Sequence, residues 1–195
     1  MPTSRIEAFS DGVLAILITI IVLELKVPEE ATFHGLADVA TSLLTYLLSF
    51  VYIGIYWNNH HHFFHLIQRV GGGVLWANLH LLFWLSLIPF TTAWMDETDF
   101  ATAPVVVYGI DLLACAVAWY TMQLAVLRVE GAGSALRQAL GRDVKGKVSP
   151  ALYVAGIVLS FVASWIGIAF YTLVAVLWLI PDRRVERHMT ASGDA

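Results

Sequence analysis

Two clusters in this sequence carry residues able to hold an ion or move a proton. The first reads Arg5, Ile6, Glu7, Ala8, Phe9, Ser10, Asp11, Gly12, followed by eleven positions, Val13 to Leu23, whose only polar side chain is Thr19. An ionisable residue inside an apolar helix is rare and marks an ion pathway, a proton relay or a pairing contact. Asp11 stands about one and a half turns into the helix, near one membrane interface and away from the midplane. At that depth, hydrogen bonding of Ser10 and Asp11 to a neighbouring helix is favoured over direct ion coordination. The second cluster is Asn58, Asn59, His60, His61, His62, Phe63, Phe64, His65. His61 and His65 are four residues apart, so on a helix their imidazoles share a face and can hold a metal. Histidine also titrates near neutrality, which admits pH sensing. A membrane di-iron enzyme needs several histidine boxes, whereas this chain adds only His80 within an apolar segment, with His34 and His188 outside. A structural hydrogen-bond network is therefore the favoured reading, with no resident metal or cofactor.

Composition decides what surrounds these clusters. Of 195 residues, 58 % are hydrophobic and 13 % charged, against roughly 45–50 % and 25 % in soluble domains. With a mean hydropathy of +0.73, the chain is an all-α membrane protein and not a water-soluble fold. A net charge of -4, with basic residues scattered between apolar segments, excludes a nucleic-acid partner. Cys115 is the single cysteine, so no intrachain disulfide or cysteine-based zinc site exists. Glu7 and Asp11 precede the first apolar run and no small-residue cleavage site follows it promptly, so the first span is expected to be retained.

Apolar runs and their punctuation place spans at about 5–27, 36–59, 74–95 and 103–127. Between Arg128 and Ser149 lies a polar segment, with a short interfacial helix expected over 134–140. The remaining 31 residues, Pro150 to Ile180, would make one helix of about 46 Å against a hydrocarbon core of about 30 Å. The positive-inside rule decides the count. With six spans and an inner N-terminus, ten of the eleven Lys and Arg fall on the cytoplasmic side, leaving only Lys26 outside. Two short spans, 150–165 and 167–181, with a tight turn near Ser164 to Gly167, are therefore expected, and both termini are cytoplasmic. The same layout puts Glu24, Glu29, Glu30, Asp38, Asp96, Glu97 and Asp99 at the outer ends. They form either a solvated rim or a vestibule that concentrates cations. The chain reads as one domain with no internal repeat.

The first cluster also carries a resemblance. Arg5, three residues, then Phe9, Ser10, Asp11 and Gly12 at the start of the first of six spans resembles the Arg-x-x-x-Phe-Ser-Asp signature of the transmembrane protein 175 family of potassium channels. The placement, the single-repeat length and the layout agree along essentially the whole chain. The resemblance implies a homotetramer in the cell membrane in which the first helix of each subunit lines one pore for potassium ions. It implies a constriction of bulky apolar side chains, at Ile16, Ile20 and Leu23, with Thr19 as a polar layer, and no filter of backbone carbonyls. It also implies that Asn58, Asn59 and His60 to His62 end the second helix and bond to Ser10 and Asp11. Arg5, Phe9, Ser10, Asp11 and Gly12, with Trp57, Asn58, His60 and His61, are thus the expected signature and interhelical network.

Spacing is compatible with that pore. Positions 16, 19, 20 and 23 share one helical face, but the run is apolar all round, so a pore stripe, a lipid stripe and a packing stripe all fit. A pore on one helix of so small a chain requires a closed ring of subunits. An apolar ring offers an ion no replacement ligands and closes by dewetting. Potassium, whose hydration shell is held less tightly, is favoured over sodium, and selectivity is expected to be modest. Thr19 either presents its hydroxyl to the pore or bonds its own helix backbone. Asp111, His80, Asn78 and Gln123 are expected to make interhelical hydrogen bonds, and Trp57, Trp76, Trp94, Trp119, Trp165 and Trp178 to form interfacial belts. The rival reading is a proton-coupled transporter with Asp11, Asp111 and the histidines as relay. No nucleotide-binding or nucleophile motif is present, and no enzymatic activity is expected.

Overall fold

The computed structural model describes residues 3–67, 69–130 and 144–179. The helix expected over 134–140, Arg137, Arg142, the C-terminal arginines and His188 lie outside the described residues. Among the described residues the protein is all-helical: α1 (Thr3–Leu23), α2 (Phe33–Asp38), α3 (Ala40–His65), α4 (Gly72–Leu85), α5 (Ile88–Glu97), α6 (Thr102–Glu130), α7 (Val144–Ser160) and α8 (Ser164–Leu179). Four stretches are long and apolar enough to cross a membrane: α1, α3, α4 with α5 taken together, and α6.

Helix α6 is the centre of the packing, buried along its length from Val105 to Val126 and packed on α4, α5, α7 and α8. Helix α1 lies to one side, mainly against α3 with smaller contacts to α4 and α5. Its buried residues are Ile6, Ser10, Leu14, Leu17 and Ile21, a stripe at spacings of three and four that keeps one face of the helix on its neighbours. The end of α1, the early turns of α3 and the end of α5 meet so that Glu24, Asp96 and Glu97 gather around one cleft with Thr45 and Thr92. At the opposite end the backbone N–H of Arg69 donates to Glu130 Oε1 at 2.8 Å, joining the link before α4 to the end of α6.

Several boundaries differ from the sequence expectation. The histidine stretch continues α3 to His65 instead of ending it near Asn59, because Tyr52, His60, Phe63 and Phe64 are buried against the bundle and prolong its packed face. The third apolar run is broken at Ser86 and Leu87. Pro89 sits in the first turn of α5, where it has no N–H to give to the carbonyl four residues back. The last hairpin turns at Phe161–Ala163, and Ser164 to Gly167 open α8 instead of forming the turn. A Cβ on Gly167 would lie 1.9 Å from Ser160 Oγ and 3.0 Å from the Gly156 carbonyl oxygen. Gly167 thus lets α8 approach α7 closely, and the turn must precede it. Trp119 is a core residue and not part of a belt: it is 9 % exposed and its ring meets Tyr56 and Phe63.

Candidate functional site

The signature at the start of α1 is divided between two faces. Ser10 points into the bundle and is fully buried, whereas Arg5, Phe9 and Gly12 are exposed. Ser10 Oγ donates to the Ile6 carbonyl at 2.8 Å and accepts from Asn78 Nδ2 of α4 at 2.9 Å. The Asn78 amide oxygen lies 2.8 Å from His60 Nε2 of α3. That oxygen can only accept, so His60 carries its proton on Nε2. Three helices are thereby joined by one buried chain, Ser10 to Asn78 to His60. The expected direct bond between Ser10 and the histidine stretch is replaced by a bridge through Asn78. The reason is geometric: α4 approaches α1 at Ser10, and only a side chain with both a donor and an acceptor can link a hydroxyl to an imidazole there.

Asp11 takes a different partner. Trp57 Nε1 donates to Asp11 Oδ1 at 3.0 Å, so the carboxylate is held by an indole and not by Asn58, Asn59 or a histidine. Asn59 instead donates to its own helix at Ile55, and Asn58 is exposed and stands outside the network. One turn beyond Trp57 is His61, whose ring stacks on the indole at 6.2 Å. His61 Nδ1 lies 2.8 Å from Glu7 Oε1. Sequence reasoning missed Glu7 as a partner. The available signal was that Glu7 precedes Asp11 by four residues while His61 follows Trp57 by four, so two antiparallel helices carry two matched pairs.

Along the rest of α1, Ile16, Thr19, Ile20 and Leu23 lie on the face that no other described part of the subunit covers. Ile16 is 58 % exposed and Leu23 78 %, although Leu14 and Ile21 on the opposite face are completely enclosed. Thr19 Oγ1 donates to the Ile16 carbonyl at 2.8 Å. Its proton is thus turned to the backbone, and the oxygen keeps lone pairs with which to accept. Phe9 and Arg5 continue the same open side and line, with Leu75 and Leu79, a groove of about 250 Å³ between α1 and α4.

Other intramembrane polar groups bond apart from this network. Thr91 Oγ1 donates to Asp111 Oδ2 at 3.2 Å, while Asp111 Oδ1 is buried without a hydrogen-bond partner among the described residues. Ser49 bonds Thr92 and Tyr108. No path of hydrogen bonds among the described residues joins Asp111 to Asp11 or to His60, which a proton relay through them would require. His80 accepts from Trp84 one turn along its own helix, so it makes no interhelical bond there.

The sequence relationships complete this geometry. The family described as endosomal/lysosomal potassium channel TMEM175 matches residues 5–89, the segment that contains the whole network. A potassium channel of Chryseobacterium sp. (strain P1-3) is 50 % identical over 189 residues, which is 97 % of this chain and 98 % of that one. The chain belongs to the TMEM175 family. A potassium channel of Chamaesiphon minutus is 32 % identical over 91 % of this TMEM175-family chain and 94 % of its own length. The crystal structure of a lysosomal potassium-selective channel TMEM175 homologue from the same organism matches with a TM-score of 0.76 at 31 % identity. It covers 91 % of this chain and 96 % of that one. As a TMEM175 chain the protein is a multi-pass membrane protein, and its family and relatives are channels and not enzymes.

Proposed function

We propose that this chain forms a homotetrameric, potassium-permeable channel in the cell membrane, with the four α1 helices enclosing one axial pathway. The observation that carries the reading is the division of α1. One face is packed into the subunit, while Ile16, Thr19, Ile20 and Leu23 are left uncovered on the other. A single subunit cannot enclose an axis with one helix, so closure calls for a ring. The TMEM175 membership and the relatives named as potassium channels support the choice of ion.

In this ring Ile16, Ile20 and Leu23 form apolar layers that exclude water when narrow and so block ions without any charged gate. When the layers widen, an ion passes only by keeping much of its shell, and potassium surrenders water more readily than sodium. Thr19 supplies the only side-chain oxygens within that stretch, one per subunit, turned outward from its bond to Ile16. Selectivity from such a path is modest, because no array of backbone carbonyls replaces the hydration shell. The Ser10–Asn78–His60 chain and the Trp57–Asp11 bond hold α1 against α3 and α4 and set the angle at which it faces the axis.

Six spans per subunit follow if α7 and α8 each cross. At 17 and 16 residues they reach about 26 and 24 Å, a little short of a core of about 30 Å, a mismatch met by local thinning of the bilayer. Charge asymmetry then places both termini in the cytoplasm and Glu24, Asp96 and Glu97 around the outer mouth.

The deciding experiment is ion flux into liposomes containing the purified, folded and assembled protein. Potassium uptake down an imposed gradient is expected, with sodium slower by a modest factor. Absence of potassium flux from such preparations would overturn the proposal.

A further inference from the structure

Glu7, His61 and His65 form a cluster that the conduction path does not use. Glu7 comes from α1, and the histidines from successive turns of α3. His61 Nδ1 is 2.8 Å from Glu7 Oε1, His65 Nε2 is 3.7 Å from the same oxygen, and His65 Nε2 is 3.1 Å from His61 Nε2. One donor atom from each residue falls within 4.8 Å of the other two. Tetrahedral zinc with bonds of about 2.0–2.2 Å sets its ligands roughly 3.3–3.5 Å apart; an imidazole gives one nitrogen to an ion, and with His61 Nδ1 as that ligand the Glu7 oxygen stands 2.8 Å from it and 3.7 Å from His65 Nε2, on either side of that spacing, so small side-chain rotations close the difference.

We propose that Glu7, His61 and His65 constitute a binding site for a divalent late transition metal ion of the zinc class, linking α1 to α3. Two imidazoles and a carboxylate suit zinc and its neighbours, whereas magnesium and calcium take oxygen ligands. The side chains are 19 %, 40 % and 58 % exposed respectively, so an ion can enter from water and keep a water molecule as fourth ligand. Trp57 stacks on His61 and is itself anchored to Asp11, which fixes the imidazole plane as an outer-shell partner does. The other exposed histidine with an acidic neighbour, His34 beside Asp38 at 3.6 Å, offers two donors only and serves as the comparison.

The test is calorimetric titration of the tag-free, chelator-treated full chain in detergent micelles with zinc chloride at neutral pH. One ion per chain is expected, together with a rise in Tm, since the ion binds only when α1 and α3 are docked. His65→Ala and Glu7→Gln each weaken binding by more than about tenfold, and His34→Ala leaves it unchanged. Circular dichroism checks that each variant is folded. His65, in the last turn of α3 and well exposed, is the substitution least able to disturb the fold. Absence of saturable zinc binding by the parent chain, or binding by folded His65→Ala and Glu7→Gln equal to that of the parent, overturns the proposal. No ion flux enters the readout, so the outcome is independent of the channel reading.

Discussion

Ile16 lies on the uncovered face of α1, and in the proposed ring it would offer the axis a branched hydrocarbon and nothing that can solvate a cation. In that ring, replacing it by Asn would put four amides where water is excluded. Ile16→Asn is therefore expected to raise potassium flux into liposomes several-fold and to lower discrimination against sodium; flux at or below the parent level would show that Ile16 is not the plug. Asn78 has the opposite character, being buried and doubly bonded. Asn78→Leu leaves Ser10 and His60 without their shared partner, and each stranded buried group costs about 1–3 kcal/mol. A clear fall in Tm in detergent is expected. Asn58→Ala, on the exposed side of the same stretch as His60, should change stability by no more than about 0.5 kcal/mol. Residue type alone would have ranked Asn58 and Asn78 equally. Burial and the position of α4 separate them.

At the scale of the elements, glycines that remove bulk and a proline that removes a donor help to set the helices. Gly167 and Gly109 sit where helices touch. A Cβ on Gly109 would lie 2.0 Å from Tyr171 Oη and 2.8 Å from Ile157 Cγ1, and Tyr171 is fully buried with its hydroxyl donating to the Val105 carbonyl at 3.3 Å. Gly167→Ala and Gly109→Ala should each lose about 1–3 kcal/mol through overpacking, read as a lowered Tm. Gly54→Ala, where nothing stands within 4 Å of the new Cβ, should be neutral or gain up to about 1 kcal/mol from helix propensity. Pro89 breaks α4 from α5 and lets Thr91 and Thr92 turn toward Asp111 and Ser49. The apolar run alone marked one span there, because hydropathy is blind to a missing backbone donor.

For the whole molecule, the proposed convergence of α1 on one axis makes a prediction that no isolated subunit can meet. Native mass spectrometry of the detergent complex should give four copies of the chain. Leu23→Cys, treated with a cationic thiol reagent, should then lose most of its potassium flux, because a charge on each subunit meets at one narrow place. The unsubstituted chain is its own control: its lone thiol, Cys115, is fully buried and should leave flux unaffected by the reagent. Unchanged flux in the fully modified Leu23→Cys protein would remove Leu23 from the pathway.

Hydropathy, charge distribution and the short motif at Arg5 to Gly12 made the membrane class, the helical fold and the TMEM175 relationship legible in the sequence, because each depends on residues close together in the chain or on sums over it. Periodicity placed Ile16, Thr19, Ile20 and Leu23 on one face but left open which face was buried, since the helix is apolar all round. Only the tertiary structure decided that. It packs Ile6, Leu14 and Ile21 inward and leaves the other stripe open, brings Asn78 between Ser10 and His60, and sets Glu7 against His61. Those pairings depend on where α1, α3 and α4 cross, and a crossing point is fixed by the close packing of whole helices and not by any local run of residues.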